Sequence, residues 1–202
     1  MTAVETPHGA ANVHLQPAED PHGALVLGHG AAGGVTSADL TAATEAAREV
    51  GFSVALVEQP YRVAGKRAPA PARQLDAAWI AVVGHLRDEA FAGLRLVVGG
   101  RSLGARVACR TAGTTGADAV LCLAFPLQPP QRASGSSPSR LPELDAVEIP
   151  TLVVQGARDR FGIPPGGPRR TVVVVAGDHS LRADLEAVAA AVRDWLPAVA
   201  ST

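Results

Sequence analysis

The sequence predicts an α/β fold, with one mostly parallel central sheet and helices packed on both of its faces. Two observations carry that reading. Short, near-continuous apolar runs recur along the chain, the pattern of strands covered on both sides. Amphipathic helical stretches alternate with them, the order that builds right-handed strand–helix–strand units. The 202 residues suit a single domain with a sizeable core, and no internal repeat or second domain is visible.

Residues 1–10 read as a loose tail, and Ala11–Gln16 alternates weakly, as an edge strand would. Pro17–Gly23 is turn chemistry. Ala24–Leu27 is the first central strand, followed by the glycine-rich loop Gly28-His29-Gly30-Ala31-Ala32-Gly33-Gly34. Ser37–Val50 reads as a helix with Ser37 as N-cap and Gly51 just beyond its end. Phe52–Glu58 is a strand, and Gln59-Pro60-Tyr61-Arg62 lies at its C-terminal edge. Val63–Pro71 is a loop, and Arg62, Lys66 and Arg67 form either a solvated stretch or a cationic rim that greets an acidic substrate. Arg73–Phe91 is a helix, with Leu75, Ala78, Trp79, Val82, Val83 and Leu86 in a 3.6-residue rhythm.

Leu94–Gly99 is the next strand, Ser102–Thr111 the helix after it, and Ala119–Ala124 another buried strand. Phe125–Val147 is rich in Pro and Ser and reads as a loop or minimal cap, with one helical turn near Leu141–Leu144; it is the segment best suited to close over a site. Thr151–Gln155 and Thr171–Ala176 are the last strands, joined through the short Pro/Gly stretch Ile163–Arg170, and Asp184–Leu196 is the closing helix.

Composition excludes several function classes. Hydrophobic residues make up 47% of the chain, which is globular in character, and the formal net charge is −1, so nothing points to nucleic acid or an anionic membrane. The N-terminal residues carry neither the basic nor the apolar region of a secretory signal, no run is long enough to span a bilayer, and a cytoplasmic protein is expected. Cys109 and Cys122 read as small buried hydrophobes rather than a disulfide or metal site. Nothing in the sequence fixes an oligomeric state.

Chemistry concentrates at Val97-Val98-Gly99-Gly100-Arg101-Ser102-Leu103-Gly104. An apolar strand turns into a helix through Gly-x-Ser-x-Gly, the nucleophile-elbow pattern. A serine on so sharp a turn has its Oγ pushed above the sheet, and the residues two before and two after it must lack bulk. The helix aims its first N–H groups at the serine, where negative charge develops during acyl transfer. The loop Gly28–Gly34 admits two uses, a phosphate cradle or the second half of an oxyanion hole. It lacks Gly-Lys-[Ser/Thr] and the Gly-x-Gly-x-x-Gly spacing, whereas His-Gly directly after a central strand fits the oxyanion use. Ala31 is then the N–H donor, Ala32 its neighbour, and His29 a structural residue of the loop.

Ser102, Asp159 and His179 all follow strand C-termini, so one sheet edge collects them. Their chain order is that of hydrolases whose serine sits on such an elbow. His179 would take the proton of Ser102, Asp159 would orient the imidazole, and the Leu103 and Ala31 N–H groups would hold the oxyanion, each worth on the order of 3 kcal/mol. Taken alone, Asp159 serves equally as a turn-forming residue, and Asp178 adjoins His179 too closely to reach its Nδ1, so it shapes the turn.

The matching segments identify the resemblance: His29-Gly30-Ala31-Ala32-Gly33, Pro60-Tyr61-Arg62, Gly100-Arg101-Ser102-Leu103-Gly104-x-Arg106, Phe125-Pro126-Leu127-x-Pro129-Pro130, Gln155-Gly156-x-x-Asp159-x-Phe161-Gly162 and Gly177-x-His179-Ser180. Together they resemble the small bacterial α/β-hydrolases grouped with testis-expressed protein 30 and NSL-complex subunit 3, and more distantly dienelactone hydrolases. The resemblance implies the α/β-hydrolase fold, a Ser102–His179–Asp159 triad, a small-molecule acyl substrate, and neither metal nor organic cofactor. Tyr61, Ala32, Arg101 and Phe161 match positions expected near the substrate. The chain departs from the fold's usual pattern after Asp159, where Ile163–Pro168 leaves little room for the customary helix, and its nucleophile is Ser, not the Cys of dienelactone hydrolases.

Three readings of function follow: a serine hydrolase of carboxylic esters or related acyl compounds, a non-catalytic interaction scaffold of the same fold, or a nucleotide-binding protein using Gly28–Gly34. The complete Ser/Asp/His set favours the first, since a scaffold needs none of the three.

Overall fold

The computed structural model describes residues 1–128 and 138–200. Eight strands form one sheet: β1 (Thr2–Val4), β2 (Ala11–Gln16), β3 (Gly23–Gly28), β4 (Phe52–Glu58), β5 (Arg95–Arg101), β6 (Ala119–Leu123), β7 (Thr151–Gly156) and β8 (Arg170–Val175). Their order across the sheet is β1-β2-β4-β3-β5-β6-β7-β8. The pairs β1/β2 and β2/β4 are antiparallel and all the others parallel.

The apolar runs are continuous because successive side chains enter different cores. Ala24 and Val26 of β3 join the cluster that holds Leu75, Trp79 and Val82 of α3 (Ala72–Asp88) and Ala105, Ala108 and Ala112 of α4 (Leu103–Thr115). Leu25 and Leu27 point the other way, to Leu40 and Ala43 of α1 (Ala38–Glu49) and Val188, Val192 and Leu196 of α6 (Leu185–Ala200). Cys109 and Cys122 are both buried free thiols that hydrogen-bond to each other, with their sulfurs 3.5 Å apart.

Several local features differ from the sequence expectations, among them the ends of α3, at Asp88 and not Phe91, and of α6, at Ala200 and not Leu196. The N-terminal residues are not all loose: Thr2–Val4 pairs with Val13–Ala11, and Val4 is buried. The edge of β2 offers unpaired backbone groups, and three residues suffice to take them. Pro60–Val63 forms a single helical turn, α2, with Pro60 at its first position, where a missing N–H costs nothing. Ser37 precedes α1, but its hydroxyl makes no capping hydrogen bond. The expected helix after Ser102 runs four residues further, to Thr115, and ends on Gly116 at φ 61°.

The short turn α5 (Leu141–Asp145) lies where the cap segment was expected to be helical. Glu143 ties it to α4 through Arg106, at 2.9 and 2.5 Å, and Arg110 of α4 also pairs with Asp76 of α3. Residues 129–137 of the proposed cap, including the Ser134–Ser137 run, lie outside the described residues. The crossover from β7 to β8, residues 157–169, contains no helix, as the Pro/Gly stretch implies.

Candidate active site

Ser102 follows the last residue of β5 and caps α4 with φ 52° and ψ −102°. Such angles cost a non-glycine residue about 1–3 kcal/mol and persist only where the surroundings enforce them. Here the enforcement is steric and close. The Ser102 N–H donates to the Leu123 carbonyl of the neighbouring strand, at 2.9 Å. The backbone of Gly28, at the end of β3, lies against Gly100 and Gly104, and a Cβ on either would overlap the Gly28 carbonyl oxygen. The small residues of the elbow are therefore demanded by the adjoining strand as well as by the turn.

The three residues expected together meet. His179 Nε2 lies 2.9 Å from Ser102 Oγ, and His179 Nδ1 lies 2.7 Å from Asp159 Oδ2. The Asp159 side chain is fully buried, while that of His179 keeps 19% of its surface exposed. Asp159 is held on both oxygens. Oδ2 also accepts from Gln155 Nε2 at 2.8 Å, and Oδ1 accepts the Phe161 N–H at 2.9 Å. The missing crossover helix thus leaves the carboxylate fixed, because every bond that fixes it comes from residues 155–161 or from His179. Asp178 instead accepts from the Ser180 N–H and hydroxyl, which hold its carboxyl below the usual range, and it shapes the turn as expected.

On the other side of Ser102 lies the loop after β3. Leu103 is the first residue of α4, so its N–H has no partner within the helix. Ala31 stands in this loop, partly exposed, and Ala32 beside it is exposed. His29 organises the loop: Nδ1–H donates to the Gly30 carbonyl at 2.8 Å, and Nε2 accepts the Gln59 N–H at 3.1 Å. Those roles require a neutral ring, and burial, chiefly, lowers its pKa.

Among the expected substrate contacts, Phe161 stacks edge-on against His179, with ring centroids 4.5 Å apart. Tyr61 is buried and donates its hydroxyl to the Ala31 carbonyl at 3.4 Å, so it braces the loop. Burial pushes its phenol up. Arg101 turns to Asp39 and to the main chain of His179. Lys66, of the cationic loop, lines a cavity of about 290 Å³ together with Gln59 and Tyr61. Among the described residues no group of three or more His, Cys, Asp or Glu side chains could hold a metal ion, and no helix is long and apolar enough to cross a membrane.

Two residues at the site had no assigned role in the sequence. Gln155 was visible as a long polar side chain following the apolar run Leu152–Val154 of a buried strand, a position that requires a partner. Asp39 gave no such signal, because an acidic residue in a helix's first turn is ordinary dipole chemistry.

The sheet, its two helical layers and the strand-to-helix elbow define the class of alpha/beta hydrolases. The chain belongs to the alpha/beta hydrolase domain family, whose model matches residues 21–191. No curated protein matches it. Solved structures share the fold over nearly the whole chain. An a/b serine hydrolase without lid, XC6422 from Xanthomonas campestris, superposes with a TM-score of 0.73 at 21% identity, covering 97% of this chain and 94% of its own. Est1E from Butyrivibrio proteoclasticus, solved with ferulic acid bound, reaches 0.80 at 16% identity with both chains fully covered. A dienelactone hydrolase from Anabaena variabilis reaches 0.75 at 16% identity, covering 98% and 95%.

Proposed function

We propose that this protein is a serine hydrolase of carboxylic esters or related acyl compounds, working through an acyl-enzyme on Ser102. The observation that carries the reading is the chain of contacts from Ser102 Oγ through both nitrogens of His179 to the buried Asp159. A serine hydroxyl is a weak nucleophile until a base takes its proton, and His179 Nε2 is within reach to do so. As Oγ bonds to the substrate's carbonyl carbon, the proton passes to Nε2 and the carbonyl oxygen becomes an oxyanion. The Leu103 and Ala31 N–H groups receive that charge. Collapse of the intermediate breaks the acyl bond, and the imidazolium returns its proton to the leaving group. Water then repeats the sequence on the acyl-enzyme and releases the acid. Asp159 keeps Nδ1 protonated and stabilises the imidazolium.

Ala32, Phe161 and, through the loop it braces, Tyr61 shape the place of the acyl compound. The narrower kinship, with the group of testis-expressed protein 30 and NSL-complex subunit 3, rests on the motifs around Tyr61, Ser102, Asp159 and His179. The test is labelling with a fluorophosphonate, located by mass spectrometry. A single adduct on Ser102, lost in Ser102→Ala and in His179→Ala, is expected. Failure of the native protein to label would remove the hydrolase reading and leave the interaction scaffold.

A further inference from the structure

Arg101 occupies the position before the nucleophile, and its guanidinium is taken up by protein groups. Nε lies 2.9 Å from Asp39 Oδ2, and Nη2 donates to the main-chain carbonyl of His179 at 3.0 Å. The Asp39 side chain is 1% exposed and that of Arg101 16%. Gly30 makes room for the guanidinium, since a Cβ there would stand 2.7 Å from Nη1. One side chain thus joins the elbow after β5, the start of α1 and the turn after β8, elements that pair with one another nowhere in the sheet near these residues.

We infer that Arg101 is a positioning residue, which sets the His179 backbone at the distance and angle its imidazole needs to reach Ser102. The inference rests on the proposed serine chemistry. Phe161 and Asp159 constrain the ring from one side. The carbonyl of the same residue has Arg101 as its side-chain donor. The guanidinium that donates to the main-chain oxygen is also held by the charge of the nearly buried Asp39 carboxylate, which ties the His179 backbone to α1 as well as to the elbow.

The experiment measures fluorophosphonate inactivation over a range of probe concentrations, which separates probe affinity from the rate of attack by Ser102. Arg101→Met is expected to slow the attack roughly 10- to 100-fold, the penalty of a misplaced reacting group, with affinity unchanged. Arg101→Lys keeps the charge and stem but reaches only one of the two partners, and should fall between wild type and Arg101→Met. Asp39→Asn should slow the attack in the same direction, and the double variant Asp39→Asn/Arg101→Met should be no slower than Arg101→Met alone. Arg110→Met removes an ion-paired arginine of similar exposure, 18% against 16%, whose carboxylate partners are Asp76 and Glu143 and not groups of the site, and should label at the wild-type rate. A wild-type rate in Arg101→Lys together with Arg101→Met, equal slowing in Arg110→Met, or a loss confined to affinity would overturn the inference. Should Arg101→Met fail to fold, Arg101→Lys and Asp39→Asn decide. Loss of labelling in the native protein itself would instead remove the serine chemistry on which the inference stands.

Discussion

At the scale of single residues, the elbow's glycines carry two constraints at once. Gly104 is needed small by the turn, and its neighbour across the sheet is the backbone of Gly28. Backbone cannot swing aside as a flexible side chain can, so Gly104→Ala is an overpacking change costing about 1–3 kcal/mol or more. The thermal midpoint should drop, by about 2–4 °C per kcal/mol for a chain of this size; an unchanged midpoint would show that β3 and α4 can separate freely. His29 gives a pH signature. Its pKa is lowered in the folded protein, mainly by burial, from an ordinary value of 6.5. As pH falls through that value the unfolded chain takes up a proton that the folded one refuses, so stability declines until the lower folded pKa is passed. Chemical denaturation from pH 7 to pH 5 should show this slope reduced in His29→Gln. An identical slope in both proteins would mean that other groups govern it. The serine, the histidine and the loop's histidine were all legible in sequence because each sits in a short motif beside a strand end.

Elements show where legibility stops. Central strands were readable because both faces are buried and the apolar runs are unbroken. The edge strand Thr2–Val4 was not, since its pairing is decided by the open edge of β2 and not by its own three residues. The turn Pro60–Val63 was missed for a like reason, being one helical turn with no periodicity to detect. The β7–β8 crossover illustrates the converse. Its brevity was plain, but the consequence for Asp159 depended on Gln155, whose Nε2 lies within 3.1 Å of the Phe125 carbonyl, the Gly162 carbonyl and the Asp159 carboxylate. Gln155→Ala leaves those buried acceptors short of a donor, and each unsatisfied group costs about 1–3 kcal/mol. The variant should lose stability in denaturant and label more slowly at Ser102. Full labelling would assign the hold on Asp159 to the Phe161 N–H and His179 alone.

For the whole molecule, the strand order places β5 and its elbow in the interior of the sheet, with β3 on one side and β6 on the other. The three side chains that meet there are far apart in sequence, Ser102 and His179 by 77 positions and Asp159 and His179 by 20. Chain order and strand-end placement foretold their meeting. The clasp of Arg101 on Asp39 did not follow from either, because it depends on how α1 is set against the elbow.

The partners of Ser102 are not equally well rooted. Among the described residues β8 is an edge strand with β7 as its one strand neighbour, the crossover leading into it holds no helix, and Val174 on it is 50% exposed. His179 hangs from the end of that strand, whereas Ser102 is framed by β3, β6 and α4. Partial openings favour the least protected edge. On warming, β8 and the turn after it should therefore part before the remainder melts, and the hydroxyl would be left in place without its base. Heat inactivation should then precede the loss of circular dichroism, and brief exposures below the melting midpoint should be reversed by cooling. Coincident curves would mean that the edge and the interior of the sheet come apart as one.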